Sequence, residues 1–344
     1  MSEKDKLGLD KLPSLFYIPS SVVHKFLDTP TSIDIVKKAF CDYAIGQSHM
    51  PPKMYLDLPQ FNGDFRAMPA YIENGYAGMK WVNSHNNSRS ALPSVMALFL
   101  LNDPKTGQPL AIIEASSLTN IRTGASGGLA AAYLSKPGAS RLSLIGAGNQ
   151  AFFQAKAIIC ASNLTHISIF DLDVNVATSL KEKLKFLFSG KVTIETSIQH
   201  SVESADIIVT TTPSRSPLIK KEWVMPGTHI NAIGADAEGK QELDPELLRS
   251  SIIVVDDFEQ ASHSGEINVP ISNKIISKSN IRGTLGEILT NNQQGRINSS
   301  EITIFDSTGL AVQDLESASH VFLEVKKTIE ETGCIPEGVS LLPF

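Results

Sequence analysis

Hydrophobic positions along the chain fall into two regimes. From Arg141 to about Gly309, short apolar runs at 142–145, 167–170, 192–195, 207–211, 230–233, 252–255 and 302–305 recur without polar alternation. They are rich in β-branched residues, as strands buried on both faces of a parallel sheet are. Between the first of them lie stretches of helical period, at 150–161, 174–187 and a short one near 202. Strand–helix–strand repetition predicts right-handed crossovers and a doubly wound α/β sheet of the Rossmann type.

The first 115 residues read differently. An amphipathic helix is predicted over 33–46, followed by strand-like pieces at 53–58, 65–71, 77–82, 96–102 and 110–114. The turn residues Asp103-Pro104-Lys105-Thr106-Gly107 join the last two as a hairpin. This predicts a second, α+β domain built on an antiparallel sheet. A long helix rich in glycine and alanine over 116–135 leads into the Rossmann half, its small residues allowing close approach of another helix or of a ligand. A final helix over 315–332 returns to the first domain. The expected division is therefore 1–125 with 315–344 for substrate binding and dimerisation, and 126–314 for dinucleotide binding.

A chain of 344 residues that is 42% hydrophobic has ample apolar surface for two cores. The net charge of −6, with no stretch dense in Lys and Arg, argues against a nucleic-acid partner. Cys41, Cys160 and Cys334 are far apart and form no metal or redox motif, which fits a reducing compartment. No His/Cys/carboxylate cluster of ligand spacing appears, so no metal is expected. No run approaches the ~20 apolar residues of a membrane span. Residues 1–10 lack the apolar core of a secretory leader, so the expected location is the cytoplasm.

The strongest chemical motif is Leu142-Ser143-Leu144-Ile145-Gly146-Ala147-Gly148-Asn149-Gln150-Ala151. It places GxGxxA between an apolar strand and a helix. Gly146 makes the tight turn, Gly148 lets the backbone approach a pyrophosphate, and the helix N-terminus offers N–H groups to the phosphates. The next strand ends in Asp171, twenty residues after Ala151, where a carboxylate can accept from the adenosine ribose hydroxyls and repel a 2′-phosphate. NAD(H) is therefore the expected cofactor, with NADP(H) the second choice. The alternative for Asp171 is a cap on the following helix. Thr210-Thr211-Thr212-Pro213 closes another strand, and Thr212 is placed in the same crevice.

Three segments break local rules. Asp236 follows the buried strand 230–233, Thr308 follows the strand at 302–305, and Arg122 puts one cation into an otherwise apolar, small-residue helix. Such a cation needs a partner or an anionic ligand.

Residues 142–151, Arg122-Thr123, Met79-Lys80-Trp81-Val82-Asn83 and Gly227-Thr228-His229-Ile230-Asn231-Ala232-Ile233-Gly234-Ala235-Asp236 together resemble the ornithine cyclodeaminase/mu-crystallin family, over nearly the whole chain from about Phe16 to Gly333. The resemblance implies a homodimer joined through the non-Rossmann domains. It implies substrate-carboxylate binding by Lys53, Lys80 and Arg122, acid/base work by Asp236 with Lys80, and cofactor contacts from Thr123, Asn149, Gln150, Asp171 and Thr308. His229 is read as structural.

One departure bears on the substrate. Ornithine cyclodeaminases carry a Glu two residues before the corresponding Met-Pro, to hold the distal ammonium, whereas Arg66 stands there before Met68-Pro69. A cation disfavours a second ammonium. The leading expectation is NAD(P)H-dependent reduction of a cyclic 2-imino acid, Δ1-pyrroline-2-carboxylate to L-proline. Ornithine cyclodeaminase, alanine dehydrogenase, ketimine reductase and a ligand-binding protein without turnover are the alternatives.

Overall fold

The computed structural model describes residues 14–85, 87 and 92–343; residues 1–10, on which the expectation about a leader rests, lie outside the described residues. The chain divides into two units, Met1–Asp28 with Gln47–Thr119 and Ala311–Phe344, and Thr29–Gly46 with Asn120–Leu310. Among the described residues no helix is long and apolar enough to cross a membrane.

The first unit is a mixed sheet covered by helices. Its strands are β1 (Ser14–Ile18), β2 (Ser48–His49), β3 (Met54–Leu58), β4 (Gly63–Ile72), β5 (Ala77–His85), β6 (Val95–Asn102) and β7 (Pro109–Glu114), with a terminal strand Ser340–Pro343. The spatial order is terminal strand–β1–β7–β6–β5–β4–β2, with β3 also on β4. The expected hairpin is present: β6 and β7 pair antiparallel across a turn closed by Gly107 N–H to Asp103 O at 2.8 Å. The expected antiparallel sheet runs from β2 through β7, and β1 joins it in parallel to β7. The last helix, Ala311–Thr332, buries Leu315, Ala318, Val321, Phe322 and Val325 at helical spacing. Phe322 packs edge-on to Phe16 and Tyr76 at 6.0 and 5.6 Å. The short helix α1 (Ser20–Phe26) accepts from this helix, His320 Nε2 to Phe26 O at 3.2 Å.

Alternation decides what each face of this sheet carries. Met68, Lys80, Phe99 and Ile113 form one cross-strand row on the inner face. Met54, Ala67, Trp81 and Leu98 form the neighbouring row on the outer face, where Met54, Trp81 and Leu98 stay 71%, 41% and 49% exposed.

The second unit is an eight-stranded, wholly parallel sheet. Its strands are β8 (Arg141–Ile145), β9 (His166–Phe170), β10 (Lys191–Ile194), β11 (Ile207–Thr210), β12 (His229–Ala232), β13 (Ile252–Val255), β14 (Ile281–Thr284) and β15 (Thr303–Asp306). They are ordered β10-β9-β8-β11-β12-β15-β13-β14. Ile207 and Val209 pack into one core cluster and Ile208 into another, which is why the strand reads as a continuous apolar run. The order reverses between β8 and β11, so their carboxyl ends frame a topological switch point, where open α/β sheets bind ligands.

Four helices matter to this unit: α2 (Thr29–Ala44), α3 (Ala115–Leu134), α4 (Asn149–Ala161) and α5 (Val174–Leu184). The small residues of α3 serve a helix contact. A Cβ on Gly128 would stand 2.8 Å from Ala157, and one on Gly124 2.5 Å from Phe153 O, both on α4. Segment 29–46, expected in the first domain, belongs to this unit. Phe40 stacks edge-on to Phe305 at 6.4 Å, Tyr43 donates to Asp257 at 3.0 Å, and Gly286 leaves no room for a Cβ beside Phe40 O and Ala44.

His229 locks this unit internally. It is fully buried on β12, its Nε2 meets Asn231 Oδ1 at 2.9 Å, and its Nδ1 meets Thr303 Oγ1 at 3.0 Å. Asn231 in turn donates to Gly127 O at 2.9 Å. Burial lowers the imidazole pKa to about 3, so the ring is neutral and structural. A folded pKa depressed below the ordinary 6.5 means stability is present above 6.5 and is lost as pH falls toward 3. In urea unfolding, that window is expected to cost up to about 1.4 kcal/mol per pH unit from this residue. His229→Gln should be less stable at neutral pH but show a flatter acid limb; parallel limbs would mean that the ring does not titrate on unfolding.

Candidate nucleotide and substrate site

The turn after β8 is built as the motif requires. Gly146 has φ +92°, and a Cβ on it would lie 3.0 Å from Thr212 Cγ2 and 3.1 Å from Thr211 Oγ1, so glycine is needed for both conformation and space. Gly148 is different. Its φ is −67° and a Cβ would point into open space. Nothing within the chain demands glycine there, whereas a pyrophosphate lying against the backbone would. Gly148 is also the N-cap of α4, and no side chain caps that helix, an arrangement suited to a phosphate. Asn149 and Gln150 form the first turn of α4. A cavity of about 340 Å³ opens beside Gly148, Asn149, Asn175 and Lys183. These residues fit a dinucleotide.

Asp171 stands at the end of β9. Its Oδ2 accepts from Ala147 N–H at 2.7 Å and its Oδ1 from Asp173 N–H at 2.9 Å. The cap of α5 is Asp173, which accepts from Asn175 N–H at 2.8 Å. The alternative reading of Asp171 as the helix cap is thereby removed. The carboxylate braces the glycine turn and keeps lone pairs for further donors.

Thr211 Oγ1 donates to Gly146 O at 3.2 Å, tying the end of β11 to the glycine turn. Beneath it lies Glu242, a residue the sequence reading did not single out. It is fully buried and accepts from Thr210 Oγ1, Thr212 N–H and Thr212 Oγ1, each at 2.7 Å, and from Gly234 N–H at 2.9 Å. Burial pushes its pKa up, opposed by those hydrogen bonds. Glu266, also fully buried, accepts from the N–H groups of Glu242 and Leu243 at 3.0 and 2.7 Å. Its pKa is pushed well above the usual range, first by burial and then by Glu242.

Asp236 lies four residues beyond β12 and pairs with Lys240 at 2.5 Å. Arg122, 4% exposed, rests against Gly309, where a Cβ would stand 2.9 Å from Nη2. Gly309 takes φ +80° and donates its N–H to Asp256 at 2.6 Å, and Thr308 Oγ1 donates to the same carboxylate at 3.0 Å. Arg122, Thr308 and Asp256 are thus gathered on the turn after β15. Thr123, next to Arg122, accepts Gln154 Nε2 on its carbonyl at 2.9 Å. Asp256 was not foreseen, although an acidic residue ending an apolar run was a visible signal.

In the first unit, Lys80 and Arg66 share the inner face of the sheet. Lys80 is 1% exposed and pairs with Asp314 of the last helix at 2.7 Å. Arg66 grips Asp64 through two bonds, at 2.7 and 3.1 Å, and lies over the Tyr55 ring at 5.3 Å. Lys53 directly precedes β3. Among the described residues no group of His, Cys, Asp and Glu is arranged to hold a metal.

A glycine turn and an uncapped helix at the switch point of a parallel sheet define a dinucleotide-binding protein of the Rossmann class. The sequence profile of the ornithine cyclodeaminase/mu-crystallin family matches residues 19–328. An alanine dehydrogenase of Archaeoglobus fulgidus is 46% identical over 304 residues, which are 87% of this chain and 92% of that protein. An archaeal alanine dehydrogenase dimer solved with bound NAD superposes with a TM-score of 0.89 at 41% identity, over 96% of this chain and 100% of that one. The Δ1-pyrroline-2-carboxylate reductase of Thermococcus litoralis, solved with NADH and L-proline, gives 0.88 at 33% identity, over 92% and 98%. The chain belongs to the ornithine cyclodeaminase/mu-crystallin family and is an NAD(P)-dependent oxidoreductase of it.

The two glycines should separate fold from ligand. Gly146→Ala is expected to cost about 1–3 kcal/mol of stability in thermal or denaturant unfolding. Gly148→Val should leave stability near that of the unaltered protein yet weaken NADH in a fluorescence titration; unaltered affinity would show that nothing approaches this backbone. Asp171→Ala should weaken NADH more than NADPH, and equal losses would reduce Asp171 to a brace of the glycine turn.

Proposed function

We propose that this enzyme uses NADH to reduce the C2=N bond of a small 2-imino carboxylate, with Δ1-pyrroline-2-carboxylate, giving L-proline, as the leading substrate. The observation that carries the reading is the burial of Arg122, a permanent cation, at the carboxyl ends of the parallel strands, where such sheets bind their ligands. An anionic carboxylate is the complement of that charge.

The reading gives each residue a role. Arg122, Lys53 and Lys80 bind the substrate carboxylate. Asp236 holds the protonated imine nitrogen, or returns its proton, and Lys80 is the second proton donor. Thr123, Asn149, Gln150, Asp171, Thr212 and Thr308 contact the cofactor, with Gly146 and Gly148 beneath the pyrophosphate. When bound, the reduced nicotinamide supplies the hydride that the imine carbon accepts. The chain contributes position and charge. Lys240 keeps Asp236 oriented by its 2.5 Å ion pair.

Arg66 weighs against an ornithine substrate. It is buried on the face that carries Lys80, and the nearby Asp64 is already committed to its guanidinium, so Asp64 is not offered to a second ammonium. A second reading, reductive amination of pyruvate, is favoured by the 46% identity to the Archaeoglobus alanine dehydrogenase. Dimerisation through the exposed apolar row Met54, Trp81 and Leu98 is part of the proposal, since a patch of this kind is typical of subunit interfaces.

The test is a substrate panel followed at the NADH absorbance band beside an ammonia assay. NADH loss with pyrroline-carboxylate and no ammonia from ornithine is expected. Ammonia from ornithine with only catalytic NAD⁺ would overturn the reading, and faster turnover of pyruvate with ammonia would install the second one. Arg122→Ala should raise KM by an amount worth about 1.5–3 kcal/mol. Asp236→Asn should lower kcat about 100-fold or more with NADH binding intact; an unaltered kcat would remove Asp236 from proton handling.

A further inference from the structure

We propose that Glu242 is a positioning residue for the dinucleotide: its carboxylate clamps the carboxyl ends of β11 and β12 and thereby holds the turn on which Gly146 rests. The inference depends on nucleotide binding alone and not on the choice of substrate.

The clamp is saturated. A carboxylate offers about four lone-pair sites, and Glu242 receives four donors, two on each oxygen. Oε1 takes Thr212 N–H and Oγ1, and Oε2 takes Thr210 Oγ1 and Gly234 N–H. The donors come from two neighbouring strand ends. The fit leaves no slack, because a Cβ on Gly234 would stand 2.6 Å from Oε2. From behind, Glu266 fixes the backbone of Glu242 and Leu243, and Leu243 is bridged to Ile219. From the front, the clamped turn meets the nucleotide loop through the Thr211 bond to Gly146 O at 3.2 Å and the Thr212 methyl against Gly146. Glu242 has no exposed surface, so its effect on a ligand must pass through these turns.

Substitution by glutamine is unusually informative. Whichever way the amide is turned, its NH₂ faces a backbone N–H, that of Thr212 or that of Gly234, and a backbone donor cannot rotate away. Asp206 provides the control. It sits at the opposite end of β11 and accepts from Ser140 and Arg141 N–H at 2.9 and 3.1 Å and from Lys136 at 2.7 Å.

The experiment measures NADH dissociation constants by nucleotide fluorescence, without substrate, alongside Tm, for the unaltered protein, Glu242→Gln, Thr210→Val and Asp206→Asn. Glu242→Gln is expected to weaken NADH by about tenfold or more and Thr210→Val by about threefold, while Asp206→Asn lowers Tm and leaves the affinity unchanged. An unaltered affinity in Glu242→Gln would overturn the proposal. So would a loss in Asp206→Asn as large as that in Glu242→Gln, since stability alone would then explain it. If Glu242→Gln does not fold, Thr210→Val decides, and an unaltered NADH affinity there overturns it. Failure of the unaltered protein to bind NADH would instead sink the cofactor assignment, so the two failures are distinct.

Discussion

Around the carboxyl ends of the buried parallel strands, backbone N–H groups of the connecting turns are met by buried carboxylates. Glu242 takes those of Thr212 and Gly234, Asp256 those of Gly309 and Asp257, Asp306 that of Ile267, and Glu266 those of Glu242 and Leu243. Burying an anion is costly unless donors converge on it. Here the donors are mostly backbone, so each carboxyl group fixes a turn. The turns so fixed carry Thr212, Asp236, Thr308 and the glycine against which Arg122 lies. The chemistry of the second unit therefore rests on groups that need not touch a ligand.

The first unit handles charge by pairing it across elements. Lys80 is balanced by Asp314 and Arg66 by Asp64, both inside an otherwise apolar layer. Such pairs contribute less to stability than to defining which groups lie where. In the proposed role of Lys80, a substrate carboxylate would share it with Asp314.

Much of this was legible in the sequence for identifiable reasons. The strands of the second unit announced themselves because both faces are buried, and the placement of Gly146, Gly148 and Asp171 is readable since their spacing is set by one strand–turn–helix–strand unit. Segment 29–46 was assigned to the wrong unit because amphipathicity reveals that a helix has a buried face, not which neighbour receives it. The parallel pairing of β1 and the terminal strand Ser340–Pro343 left no clear trace, the latter being exposed along its length. Glu242 escaped notice because its partners lie 8 to 32 residues away and include backbone groups that carry no sequence signal.

The counter-charge for Lys80 arrives late. Asp314 belongs to the final helix, whereas Lys80 is laid down in the first quarter of the chain. A nascent polypeptide can assemble most of the second unit from contiguous sequence before that helix leaves the ribosome. Until that segment is made, the inner face of the first sheet lacks both its covering helix and the partner of Lys80. In vectorial synthesis every residue of the second unit therefore precedes the helix that closes the cationic layer.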